Sequence, residues 1–216
     1  MELKVTIART GMLIATAMSC ALFGTGCKSN TTKKVPGPYE TIGKDIRRDT
    51  ETARAENTKA VELITAGKYQ EAEAILRRAL EADVTFGPAH NNLGKVYFHR
   101  GEMYLAAWEF QYAANLMRDQ PEPRNNLGLV FESVGKFDDA VTWYDAALRE
   151  GPDNPQYLGN AARARIARGD RDAVVRELLE KLVMRDTRTD WVEWARESLA
   201  TMDIAPTAPT TTSATQ

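Results

Sequence analysis

Small and apolar side chains recur along this chain at one fixed distance. Gly67, Gly101, Gly135 and Gly169 lie 34 residues apart, and other positions keep step with them. Counted so that each glycine is position 15 of a unit, position 7 reads Lys59, Leu93, Leu127 and Ala161, and position 8 reads Ala60, Gly94, Gly128 and Ala162. Position 20 reads Ala72, Ala106, Ala140 and Val174; position 24 reads Leu76, Phe110, Tyr144 and Leu178; position 27 reads Ala79, Ala113, Ala147 and Lys181. Positions 7 and 11 are four apart and share one face of a first helix. The small residue at position 8 admits a second helix close by. The glycine at 15 ends the first helix, because glycine tolerates the left-handed backbone that a helix end often needs. The pattern predicts helix-turn-helix units at about 53–86, 87–120, 121–154 and 155–188. One such hairpin cannot bury its apolar face alone, so neighbours must stack. A last amphipathic helix is predicted within 189–203, with Trp191, Trp194, Ala195, Ser198, Leu199 and Met202 inward and Glu193, Arg196 and Glu197 in water.

The middle units carry Asn92-Leu93-Gly94 with Tyr97, Gly101, Ala106, Phe110 and Ala113, then Asn126-Leu127-Gly128 with Phe131, Gly135, Ala140, Tyr144, Ala147 and Pro152. In these residues and in its period the chain resembles the tetratricopeptide repeat family over roughly two thirds of its length. The resemblance implies an all-α, right-handed superhelical solenoid of about four units plus a C-terminal capping helix, over 50–204. Two departures stand out. Lys59 and Leu63 make a weak first helix, and Arg165 sits where an aromatic is usual.

The N-terminus reads as a targeting segment. Lys4 and Arg9 precede an apolar run from Met12 to Phe23, followed by Gly24, Thr25 and Gly26. The run is short for a membrane span, and its order matches a secretory signal over 1–26. Gly26-Cys27-Lys28-Ser29 resembles a bacterial lipoprotein cleavage site, which implies lipid on Cys27, although Gly24 stands where leucine is preferred. Cys20 is a weaker alternative, and ordinary signal cleavage or an uncleaved anchor remain open. With cleavage before Cys27 the mature chain keeps one cysteine, so no internal disulfide forms. Residues 27–49 then supply the anchor and a flexible tether, its ends on the order of 20–25 Å apart. The Thr/Pro-rich stretch 205–216 is expected to be disordered.

A net charge of −2 over 216 residues offers no nucleic-acid affinity. The charge is uneven. Residues 121–154 hold three bases against seven acids, and 155–188 hold eight bases against five acids, a layout that suits a charged partner or simply solvated faces. His90 and His99, the only histidines, fall on opposite sides of one helix and cannot share a metal. No phosphate loop, nucleophile elbow or metal-type cysteine spacing occurs. Neither catalysis nor a cofactor is expected.

Binding remains. In the family that the chain resembles, first helices line a concave groove. That resemblance points to Asn91, Asn92, Lys95, Phe98 and His99, then Asn125, Asn126, Leu129, Glu132 and Ser133, then Asn160, Arg163 and Ile166. Asn92, Asn126 and Asn160 share position 6 and resemble the asparagine ladder with which the repeat domain of sugar-transferring O-GlcNAc enzymes grips an extended peptide. A carboxamide both donates and accepts, which suits a peptide backbone; a bond within its own unit is the alternative. Tyr104, Trp108 and Tyr112, four apart, form a second candidate surface at positions that are mostly polar or small elsewhere. Either a partner would cover them, or residues 39–50 or a neighbouring helix would. The expectation is an adaptor on the periplasmic side of a bacterial envelope membrane, similar to tetratricopeptide lipoproteins that pilot pilus secretins or scaffold peptidoglycan enzymes. Self-association through the aromatic stripe, giving a homo-oligomer, and an accessory subunit of such a complex are the alternatives.

Overall fold

The computed structural model describes residues 48–203. The signal segment, Cys27, nearly all of the tether and the Thr/Pro-rich tail lie outside the described residues. Those described form nine helices and no strand: α1 (Thr50–Thr65), α2 (Tyr69–Ala82), α3 (Gly87–His99), α4 (Met103–Leu116), α5 (Glu122–Ser133), α6 (Phe137–Glu150), α7 (Pro155–Arg168), α8 (Ala173–Arg185) and α9 (Thr189–Asp203). None is long and apolar enough to cross a membrane.

The hairpins are α1–α2, α3–α4, α5–α6 and α7–α8, and each first helix also touches the next first helix, α1 to α3, α3 to α5 and α5 to α7. Each hairpin turns at its glycine. Gly67, Gly101, Gly135 and Gly169 have φ of 72, 79, 74 and 107°, a region that costs an L-residue about 1–2 kcal/mol. The amide that follows each glycine donates back to the carbonyl at position 11, Lys68 to Leu63 (2.8 Å), Glu102 to Tyr97 (2.9 Å), Lys136 to Phe131 (2.9 Å) and Asp170 to Arg165 (3.0 Å). These bonds satisfy carbonyls that the helix end would orphan.

Position 8 is small for the reason the pattern predicts. A β-carbon on Gly94 would come within 2.6 Å of the Phe110 ring, and one on Gly128 would collide with Tyr144. Both rings are fully buried, each contributing about 1.5–3 kcal/mol. Phe131 packs against both halves of the core, which otherwise divides between Ala53–Val130 and Ala140–Met202.

The first helix starts at Thr50, three residues before the unit boundary placed at 53. Asp49 caps it by accepting from the Thr52 amide at 3.0 Å. The Asp49 amide donates to Ala82 (3.0 Å) and the Thr50 hydroxyl to Asp83 (2.7 Å), tying the helix start to the end of α2. Only Ala53 and Ala60 of α1 are buried, so this helix is thinly anchored, as Lys59 and Leu63 imply.

Candidate functional site

The first helices put their site residues on one face because positions 5, 6, 9, 12 and 13 recur in register. The five asparagines do not all reach solvent. Asn91, Asn125 and Asn160 are only 3, 1 and 3% exposed, and Asn92 and Asn126 are 9 and 7% exposed. Their bonds run between units. Asn92 Nδ2 donates to Asn57 Oδ1 (2.8 Å), Asn126 Nδ2 to Asn91 Oδ1 (3.0 Å) and Asn160 Nδ2 to Asn125 Oδ1 (2.9 Å). At position 6 the amide nitrogen thus reaches position 5 of the preceding unit rather than a partner in its own unit or a ligand, while Oδ1 of Asn160 also accepts from Arg163 within its unit. Buried carboxamides need such partners, since an orphaned one costs about 1–3 kcal/mol.

Five of the predicted groove residues do meet. Lys95, Phe98, His99, Asn126 and Leu129, joined by Phe110, line a cavity of about 220 Å3 between α3, α4 and α5. His99 stacks on Tyr69, centroids 4.9 Å apart and planes at 11°. Nδ2 of Asn126 is engaged in the ladder, whereas its Oδ1 takes no hydrogen bond among the described residues.

The cations of this face are already balanced. Lys95 Nζ pairs with Glu122 at 2.5 Å. Arg163 donates to both oxygens of Glu132, at 2.6 and 2.9 Å, and to Asn160 Oδ1 at 3.2 Å. Glu132 also accepts from the Tyr144 hydroxyl at 2.6 Å. Burial, with Glu132 alongside, raises the Tyr144 phenol far above its usual range, so it stays protonated and donates to Glu132. Ser133 bonds back to Val130, and Ile166 packs half-buried against the C-terminal core.

The uneven charge has the same explanation. Arg163, Arg165, Arg168 and Arg185 of the basic unit pair with Glu132, Asp145, Asp138 and Asp153 of the acidic one, at 2.6, 2.7, 3.2 and 3.4 Å. Much of the asymmetry, which suited either a charged partner or solvated faces, is a joint between neighbouring units.

Tyr104, Trp108 and Tyr112 are 80, 65 and 38% exposed. Leu105 and Leu116 extend the patch along α4; sequence reasoning missed both, because Leu116 continues the spacing from Tyr112 but is not aromatic, and Leu105 falls outside that spacing. Tyr112 leans edge-on against His90 at 4.5 Å. His90 is buried, with Nδ1 2.6 Å from Glu109 and Nε2 2.9 Å from the Val84 carbonyl. Among the described residues no group of three or more His, Cys, Asp or Glu is placed to hold a metal.

Comparisons with known proteins agree with this geometry. The family model described as "Tetratricopeptide repeat" matches residues 57–121 and 125–182. Human tetratricopeptide repeat protein 16 is 27% identical over 116 residues, half of this chain but 13% of that protein. A protein of Haemophilus influenzae named only "Uncharacterized protein" is 28% identical over 109 residues, again half of this chain and 59% of its own length. Among solved structures, the first repeat domain of Spaghetti (RPAP3) bound to the HSP90 peptide SRMEEVD superposes with a TM-score of 0.55 at 21% identity, over 58% of this chain and all of that one. MamA superposes with a TM-score of 0.53 at 20% identity, over 71% of this chain and 83% of its own. A repeat protein from Parabacteroides merdae gives 0.60 at 15% identity, over 71 and 60%.

Proposed function

The chain belongs to the tetratricopeptide repeat family, and from that premise we propose that it is a non-enzymatic adaptor that holds an extended peptide of a partner protein on its first-helix face. The observation that carries this reading is the cavity where Lys95, Phe98, His99, Asn126 and Leu129 converge. Phe98 and Leu129 offer apolar contact, and the unpaired Asn126 oxygen offers an acceptor for a peptide N–H. The RPAP3 domain was solved with an acidic peptide; here Lys95 and Arg163 are neutralised by Glu122 and Glu132, so an acidic tail gains little. A display library of unstructured peptides panned on the chain tests the idea. Leu129→Arg should weaken the selected peptides about tenfold while helicity and melting stay unchanged; equal binding by the variant sinks the proposal.

The adaptor is further proposed to sit on a bacterial envelope membrane, held by lipid on Cys27 and facing the periplasm. Support comes from the order of charge, apolar run and Gly26-Cys27 in the sequence. Cys27→Ser is expected to leave the protein unprocessed or release it from membranes, whereas Cys20→Ser changes little. The exposed Tyr104 and Trp108 favour a second reading, self-association through α4.

A further inference from the structure

Helix α9 keeps the register of the repeat. Counting on by 34 from Asn160 reaches Trp194, so α9 takes the place of a first helix and Trp194 stands where Asn92, Asn126 and Asn160 stand. The next rung of the ladder would run from Trp194 to Gly159, and neither carries a carboxamide. The Trp191 ring lies over Gly159 instead, where a β-carbon would come within 2.5 Å of it. The ladder therefore ends at Asn160, and beyond it opens a cavity of about 170 Å3 lined by Arg163, Asp190, Trp191 and Trp194. The two indoles meet edge to face, centroids 5.6 Å apart and planes at 78°.

The charges around this cavity are unequal in a telling way. Arg163 lies 5.2 Å from the Trp191 centroid and Arg188 lies 4.8 Å from it. Arg163 is bonded to Glu132, and Arg188 to Asp186. The Asp190 carboxylate makes no hydrogen bond or ion pair among the described residues; Arg188 feels its charge only through space. It is exposed, and no cation lies over Trp194 among the described residues. Indole faces attract cations, and a carboxylate on the rim strengthens that preference.

We propose that this cavity is a subsite for a lysine or arginine side chain, its stem against Trp194 and its charge beside Asp190, supplied by the peptide that lies along the first-helix face. The subsite rests on the peptide-binding reading above but is tested apart from it. Nα-acetyl-lysine amide is titrated into the full chain in detergent micelles while the indole N–H signals are followed by NMR, assigned with Trp191→Phe and Trp194→Phe. The Trp191 and Trp194 signals should shift and saturate. Nα-acetyl-norleucine amide, the same stem without charge, should bind about fivefold more weakly. Asp190→Asn should abolish that difference and leave the helical circular dichroism unchanged. Equal binding of the two probes, discrimination that survives Asp190→Asn, or no shift of either indole would each overturn the subsite. A single amino-acid probe does not need the cavity at Phe98 and Leu129, so the peptide-library result can fail while this one stands, or the reverse.

Discussion

Positions 8 and 24 exchange volume across each hairpin. Where position 24 is leucine, as in Leu76 and Leu178, position 8 is Ala60 or Ala162; where it is Phe110 or Tyr144, position 8 is Gly94 or Gly128. Gly94→Ala is expected to destabilise by about 1–3 kcal/mol through overpacking. Adding Phe110→Leu should recover most of that, because the pair then matches Ala60 with Leu76. Denaturant midpoints of the single and double variants decide it, and a strictly additive double variant would refute the exchange. A second residue-scale effect depends on pH. Burial works to raise the Asp83 carboxyl, but hydrogen bonds from Thr50 and Thr85 and the charge of Arg48 outweigh it, leaving the group below the ordinary carboxylate range. Its contribution is therefore present above the unfolded value of about 4 and is lost as pH falls through the lowered folded value. Acidification should lower the protection of the Thr85 amide relative to its intrinsic exchange rate at each pH, since that amide donates to Asp83 at 2.9 Å, and Asp83→Asn should flatten that pH dependence.

Among the elements, what periodicity discloses is what local spacing dictates. Leu93 and Tyr97 share a face, and Gly101 must end α3, whatever packs against them. Lys95, Phe98, His99, Asn126 and Leu129 were legible as one cluster because the same helix positions recur in register. The ladder was not legible, because Asn126 finds Asn91 35 residues away only once neighbouring first helices are in place. Trp191 and Trp194 were read as cap packing, since nothing in their own helix reveals the gap at Gly159. The α4 stripe divides along the same line. Tyr104 and Trp108 face outward, while Tyr112 supports buried His90. Tyr104→Ala with Trp108→Ala should leave melting nearly unchanged and reduce self-association in sedimentation runs. Tyr112→Ala should instead lower the melting temperature by several degrees. A matching loss of melting temperature in the Tyr104/Trp108 variant would reassign the whole stripe to packing.

Across the whole described fold, each unit leans chiefly on its neighbours, so stability is approximately a sum of unit and interface contributions. The joint between the acidic and basic units is where Arg165 replaces the usual aromatic. Position 11 there meets position 25 of the unit before: Tyr97 receives Arg77 at 3.4 Å, and Arg165 holds both oxygens of Asp145 at 2.7 Å. The departure from pattern is thus a pair with its order reversed. Arg165 is buried and its Nη1 finds no partner, so the contact tolerates little loss. Arg165→Ala should cost about 2 kcal/mol, less than a fully buried pair because Asp145 is partly exposed. The cost should be local. Amides of α7, α8 and α9 should exchange faster with solvent while those of α1 to α4 keep their protection. Arg165→Tyr with Asp145→Arg recreates the Arg77–Tyr97 arrangement and should bring exchange in α7–α9 back towards the parent rate. Uniformly faster exchange from α1 to α9 in Arg165→Ala would instead mean that the solenoid opens as one cooperative body.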